Sequence, residues 1–118
     1  MTVRTYRGSC QCGAVRLSAE LDLDQAVTCN CSRCRRMGFV LAFAPAAAFR
    51  LEAGEDATTE YLFNRHAISH RFCRICGVEA YAMGALPDGT PMAAVNVNCL
   101  DGVDPRALEA TFHDGASA

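Results

Sequence analysis

The sequence predicts a mainly β domain, built of small antiparallel sheets with few short helices. Three observations predict it. Val15, Leu17, Ala19 and Leu21 alternate with Ala14, Arg16, Ser18 and Glu20, and a period of two over that length reads as a strand with one buried face. Short apolar segments separated by turn residues recur through the rest of the chain, the pattern of antiparallel β structure. Seven of the eight cysteines fall in close clusters, and a small β domain gains rigidity from such crosslinking groups.

Taken in order, the strands are expected at 14–21, 39–44, 49–52, 58–64, 67–73, 78–83 and 91–97. Asn64-Arg65-His66 reads as a hairpin turn between two of them. Leu86-Pro87-Asp88-Gly89 is a turn because Pro and Gly supply the two backbone conformations it needs. Helix is scarce. Residues 31–37 can form one turn or two, ended by Gly38, and 45–48 a shorter one. Asp104 before Pro105 places a capping carboxylate ahead of a first-turn proline, which predicts one more short helix.

The 118 residues suit one domain, residues 1–118, with a moderate core. About half are hydrophobic and a fifth charged, the balance of a folded chain. No apolar run reaches the roughly 20 residues that span a bilayer, and the first residues lack the apolar stretch of a secretory signal. A cytoplasmic location is therefore expected, where thiols stay reduced and disulfides explain the cysteines poorly. The formal charge is −2, and two divalent metals bound by seven thiolates would take it to about −5. That balance gives no general attraction to nucleic acid, and the chain has no Trp to stack on bases.

Three of the cysteine groups have metal-ligand spacing: Cys10-Gln-Cys12, Cys29-Asn-Cys31-Ser-Arg-Cys34 and Cys73-Arg-Ile-Cys76. C-x-C and C-x-x-C steps let two thiolates leave one tight turn towards a single ion, and zinc is the metal such sets prefer. Two steps of each kind make the signal strong. Cys99 stands apart and reads first as a buried small hydrophobe, with a place as a further ligand as its other reading. His70 precedes Cys73 by three residues; it suits a hydrogen bond to a metal-bound sulfur, a proton shuttle, or a buried imidazole bonded to backbone. His66 reads as solvated on its turn, and His113 carries no signal.

Gly8-Ser-Cys10-Gln-Cys12-Gly-Ala-Val15, Cys29-Asn-Cys31-Ser-Arg-Cys34-Arg-Arg36, His70-Arg-Phe-Cys73-Arg-Ile-Cys76-Gly77 and Val95-Asn-Val-Asn-Cys99-Leu-Asp101 occur in that order. The sequence so resembles the glutathione-dependent formaldehyde-activating enzyme family, which includes centromere protein V, from about residue 6 to about residue 114. The resemblance implies the Mss4-like fold, small antiparallel sheets tied by zinc. It implies that Cys10, Cys12, Cys73 and Cys76 surround one structural zinc. It also implies that Cys29, Cys31 and Cys34 form a second site with an open position, labile or catalytic; a closed set is structural, an open one allows catalysis.

The activity implied is that of a carbon–sulfur lyase, forming or cleaving the adduct of formaldehyde with glutathione, with Cys29, Cys31, Cys34 and His70 as its catalytic residues. The partner expected is a small thiol such as glutathione or its aldehyde adduct. Arg33, Arg35 and Arg36 beside the open site can grip the carboxylates of such a ligand, since a guanidinium binds them through two parallel bonds; a solvated charge run is the plainer reading. Two other functions stay open: a non-catalytic zinc-binding module for a protein or nucleic-acid partner, and a redox or metal-buffering thiol protein. A second site that opens into a pocket favours the enzyme; a flat surface favours the module.

Overall fold

The computed structural model describes residues 2–117 of the chain. Two sheets frame it. The smaller has three antiparallel strands: β1 (Arg4–Ser9), β2 (Arg16–Leu21) and β5 (Phe49–Ala53), with β2 in the centre. The larger has seven strands in the order β10 (Thr111–His113), β3 (Val27–Cys29), β4 (Leu41–Pro45), β9 (Pro91–Asn96), β8 (Glu79–Ala85), β7 (Ser69–Cys73) and β6 (Thr58–Tyr61). Every pair is antiparallel except β10 with β3, which run parallel. The single α-helix among the described residues, α1 (Ser32–Met37), ends at Gly38, whose φ of 68° is the left-handed conformation of a helix stop. No helix among the described residues is long and apolar enough to cross a membrane.

The mainly β expectation is met, and most strands lie within a few residues of their predicted limits. The alternation at 14–21 becomes β2 from Arg16, because Gly13 and Ala14 belong to the cysteine turn before it. Between β6 and β7 the turn is longer than a hairpin turn at 64–66: Asn64 and His66 both take positive φ, 55° and 57°, and Phe63 leaves the sheet to stack on His70. Segment 45–48 and the residues after Asp104 form single 3₁₀ turns, the latter capped by Asp104 accepting from the Arg106 N–H.

The core lies between the sheets. Leu17, Ala19 and Leu21 of β2 face Ala42 and Ala44 of β4, Tyr81 of β8 and Val95 of β9, all buried. Leu17 is 1 % exposed, so Leu17→Ala is expected to cost about 2–5 kcal/mol in chemical denaturation, from lost apolar burial and the cavity left behind.

Alternation sends the neighbours of these residues to the other face of the large sheet. Phe43 lies opposite Ala94, Ala94 opposite Ala82, and Ala82 opposite His70. Those four residues form a row across four strands. An irregularity in the β7–β8 pairing sets Arg71 against Tyr81 but Phe72 against Glu79, leaving Ala80 as an extra residue. Such a bulge re-aims side chains: Tyr81 joins the core, while Glu79, two residues away, lines a cavity with Ala82.

Candidate metal centre and adjoining cavity

The first thiol set grows from two matching turns. Cys10 and Cys12 lie between β1 and β2, with Cys10 N–H on Val15 O and Gly13 N–H on Cys10 O. Cys73 ends β7 and Cys76 lies in the turn to β8, with Cys73 N–H on Val78 O and Gly77 N–H on Cys73 O. Backbone N–H groups of Val15, Ile75 and Cys76 point at sulfur, the first at Cys10 and the others at Cys73. All four Sγ atoms lie within 4.8 Å of one another. Cys10 to Cys12 is 3.6 Å and Cys12 to Cys73 3.7 Å, far beyond a disulfide bond and close to the roughly 3.8 Å edge of a tetrahedron of thiolates around zinc.

Electrostatics asks for a cation here. Burial works against ionising Cys76, but N–H groups of Val78 and Cys12 and the thiols of Cys10 and Cys73 hold it at about 6. Against a lowering bond from Ala14, burial and the thiols of Cys10, Cys73 and Cys76 push Cys12 up to about 11. Thiols that share one site lose their protons one at the expense of another, and a divalent metal removes that conflict.

Cys99 lies beside this set. Burial pushes its thiol up to about 11, with the charges of Cys10 and Cys76 adding to the rise. It belongs to neither thiol group, so its reading as a further ligand gives way to that of a half-buried packing residue. Gly8 meets the same segment: a Cβ there would lie 2.5 Å from Cys99 O, which is why β1 can bridge to Leu100 only with glycine at that position.

The second set is Cys29 at the end of β3, Cys31 capping α1, and Cys34 within the helix, again with Sγ atoms within 4.8 Å. Cys31 Sγ accepts the Cys34 N–H, and Cys29 Sγ the Cys31 N–H. Burial resists ionisation of Cys31, yet N–H groups of Cys34 and Arg33 and the neighbouring thiols keep it below the usual thiol value. Burial drives Cys34 upward, and Cys31 and Cys29 add to the rise. Three converging sulfurs that cannot all ionise alone suit a metal ion as the first set does.

This second set borders a cavity of about 440 Å³ over the sheet face that carries Phe43, Ala94, Ala82 and His70. His70 is 5 % exposed. Its Nδ1 lies 2.7 Å from Glu79 Oε2, and the other oxygen of Glu79 receives Arg33 at 2.7 and 3.0 Å. Because the carboxylate accepts, His70 Nδ1 carries the proton, and its Nε2, buried without a partner, belongs to a ring that lines the cavity. Phe63 stacks on the imidazole at 5.3 Å, and Arg33 covers the Tyr61 ring at 4.7 Å.

Arg33, Arg35 and Arg36 lie on α1 with Cys34, but not on the wall of the cavity. Arg33 is committed to Glu79 and Tyr61, Arg36 bonds Ser32 O, and Arg35 is exposed; none of them lines the cavity. Arg65 lines it instead. The sequence reading missed Glu79, although a lone carboxylate in the run Val78-Glu79-Ala80-Tyr81-Ala82 was a signal for it. It also missed the strand β10, which sets His113 opposite Cys29 and brings both His113 and Gly115 to the cavity.

Two comparisons agree with this architecture. The chain matches the family described as glutathione-dependent formaldehyde-activating enzyme over residues 5–114. It is similar to a crystal structure of a Rhodobacter sphaeroides protein, at 35 % sequence identity and a TM-score of 0.80, covering 90 % of this chain and 97 % of that one. The two-sheet, cysteine-tied architecture is the Mss4-like fold, and the chain belongs to the glutathione-dependent formaldehyde-activating enzyme family.

Proposed function

We propose that the protein is a zinc-dependent, lyase-like enzyme of carbon–sulfur chemistry, which forms or cleaves the adduct of a small thiol, such as glutathione, with an aldehyde. The observation that carries this reading is the joint opening of the Cys29, Cys31, Cys34 set and the ring of His70 into one cavity. A flat thiol surface would have favoured a binding module. Membership of the family supports the same chemistry.

In this reading Cys10, Cys12, Cys73 and Cys76 hold a structural zinc, and Cys29, Cys31 and Cys34 hold a second. That second ion supplies, when bound, an open Lewis-acidic position that favours a substrate sulfur in its thiolate form. Glu79 fixes the tautomer of His70, which leaves Nε2 able to accept the hydroxyl proton of a hydroxymethyl thioether. As that proton leaves, the carbonyl forms, the carbon–sulfur bond breaks and its electron pair returns to sulfur. The condensation runs the same path backwards, with His70 returning the proton to the carbonyl oxygen. Phe63 and the apolar wall keep water from the imidazole. Carboxylate recognition, first expected of Arg33, Arg35 and Arg36, falls in this reading to Arg65.

Release of formaldehyde from its adducts with glutathione and with 2-mercaptoethanol, over zinc-loaded protein, tests the reading. The rate should rise in proportion to protein concentration. Cys31→Ser should abolish that acceleration while the protein still melts cooperatively near its original temperature. His70→Asn should lower the rate about 10²–10⁴-fold with metal content intact. No acceleration with either adduct would make the non-catalytic zinc-binding module the better account.

A further inference from the structure

Building on the thiol chemistry just proposed, we infer that the preferred thiol carries an apolar body, an aryl or branched alkyl group, and no more than one carboxylate. The cavity walls point to it. Val27, Phe39, Leu41 and Phe63 line the space beside the three cysteines. Its floor is the row Phe43, Ala94, Ala82 and His70, in which two alanines between larger residues leave depth over the sheet. Phe43 and Ile68, both lining residues, stay 47 % and 49 % exposed although large and apolar. A ligand body over them would remove that surface from water.

The charges agree. Glu79 is satisfied by Arg33 and His70. Arg65 is the one Arg or Lys among the described lining residues. A ligand with two carboxylates and an ammonium group would meet one guanidinium, the imidazole of His113, the amide of Asn64 and a mostly apolar wall, and charges left unpaired there are costly. A ligand whose sulfur lies at Cys29, Cys31 and Cys34 would lay an apolar body along Ala94 and Ala82 and offer a single carboxylate to Arg65. The unpartnered Nε2 of His70 remains for the oxygen of the aldehyde adduct.

Calorimetry of the zinc-loaded protein with 2-sulfanyl-3-phenylpropanoate, glutathione and thiol-free 3-phenylpropanoate tests this. The aryl thiol should bind at least about tenfold more tightly than glutathione, as burial of one ring predicts, and the thiol-free acid far more weakly. Ala94→Phe, which fills the floor, should erase the preference. Phe43→Asp, at an exposed position, should do the same and stands in if the first variant loses its circular dichroism or its metal. Glutathione binding as tightly as the aryl thiol, or a preference that survives both variants, would overturn the inference and leave the thiol reading standing. Tight binding of the thiol-free acid would overturn the sulfur anchor. Absence of binding by either thiol would remove the thiol reading itself, and this inference with it.

Discussion

Cys73→Ser is expected to unfold the protein or lower its melting temperature steeply, with loss of about one equivalent of metal. Cys73 is 1 % exposed and sits at the start of the β7–β8 turn. Its partners Cys10 and Cys12 belong to the turn between β1 and β2, in the other sheet. One ion held at this point would therefore tie the two sheets together. Structural zinc in small peptides contributes about 10–16 kcal/mol, comparable with the roughly 5–15 kcal/mol of a whole domain's stability. Thermal melts followed by circular dichroism, with atomic absorption for metal, measure both effects. An unchanged melting temperature and metal content would refute the crosslink. Cys31→Ser, in the open set, provides the contrast, since the fold should survive it.

Glu79→Ala is expected to cost about 3–5 kcal/mol in urea denaturation, the loss seen when one partner leaves a buried ion pair. The carboxylate side chain is 3 % exposed, and its partners Arg33 and His70 are 19 % and 7 %. Removing it strands a guanidinium and frees the tautomer of an imidazole at once. Glu79→Gln keeps the shape and some of the hydrogen bonds, so its cost should be smaller, while the charge that orients His70 is lost. A cost for Glu79→Ala below about 1 kcal/mol would show that the Arg33–Glu79–His70 chain bears little stability.

Strands whose sequence alternates because one face is buried were legible. β2 is the clear case, with Leu17, Ala19 and Leu21 inside. β1 was not, because Arg4-Thr-Tyr-Arg-Gly-Ser9 forms an edge strand with little buried side-chain surface. β10 was missed for the same reason, being short and exposed at the other sheet's edge. Local spacing made each cysteine cluster visible. It did not pair Cys10 and Cys12 with Cys73 and Cys76, since that partnership depends on how two sheets meet; the family resemblance supplied it, and the structure gathers the same four sulfurs. The bulge at Ala80 turns Glu79 toward His70, and a one-residue slip in pairing leaves no periodic trace in the sequence. The direction of Arg33 was hidden likewise, because its partner lies on a distant strand.

The packing of Gly115 against the second thiol set bears on the order in which the molecule is made. A Cβ at position 115 would lie 2.5 Å from Cys29 Sγ and 3.3 Å from Cys31 Cβ. The turn holding it is moored by Asn30, which donates to Asp114 and accepts from the Ala116 N–H. Cys29, Cys31 and Cys34 leave the ribosome well before the segment that packs over them. Chains fold progressively as they emerge, so these thiols pass through a period of wider solvent access during translation. A metal acquired in that interval would be held without Gly115 over the site, and would exchange more freely than one held after Gly115 has docked. Metal choice at the second centre would then depend on which ions surround the nascent chain, as well as on the finished geometry.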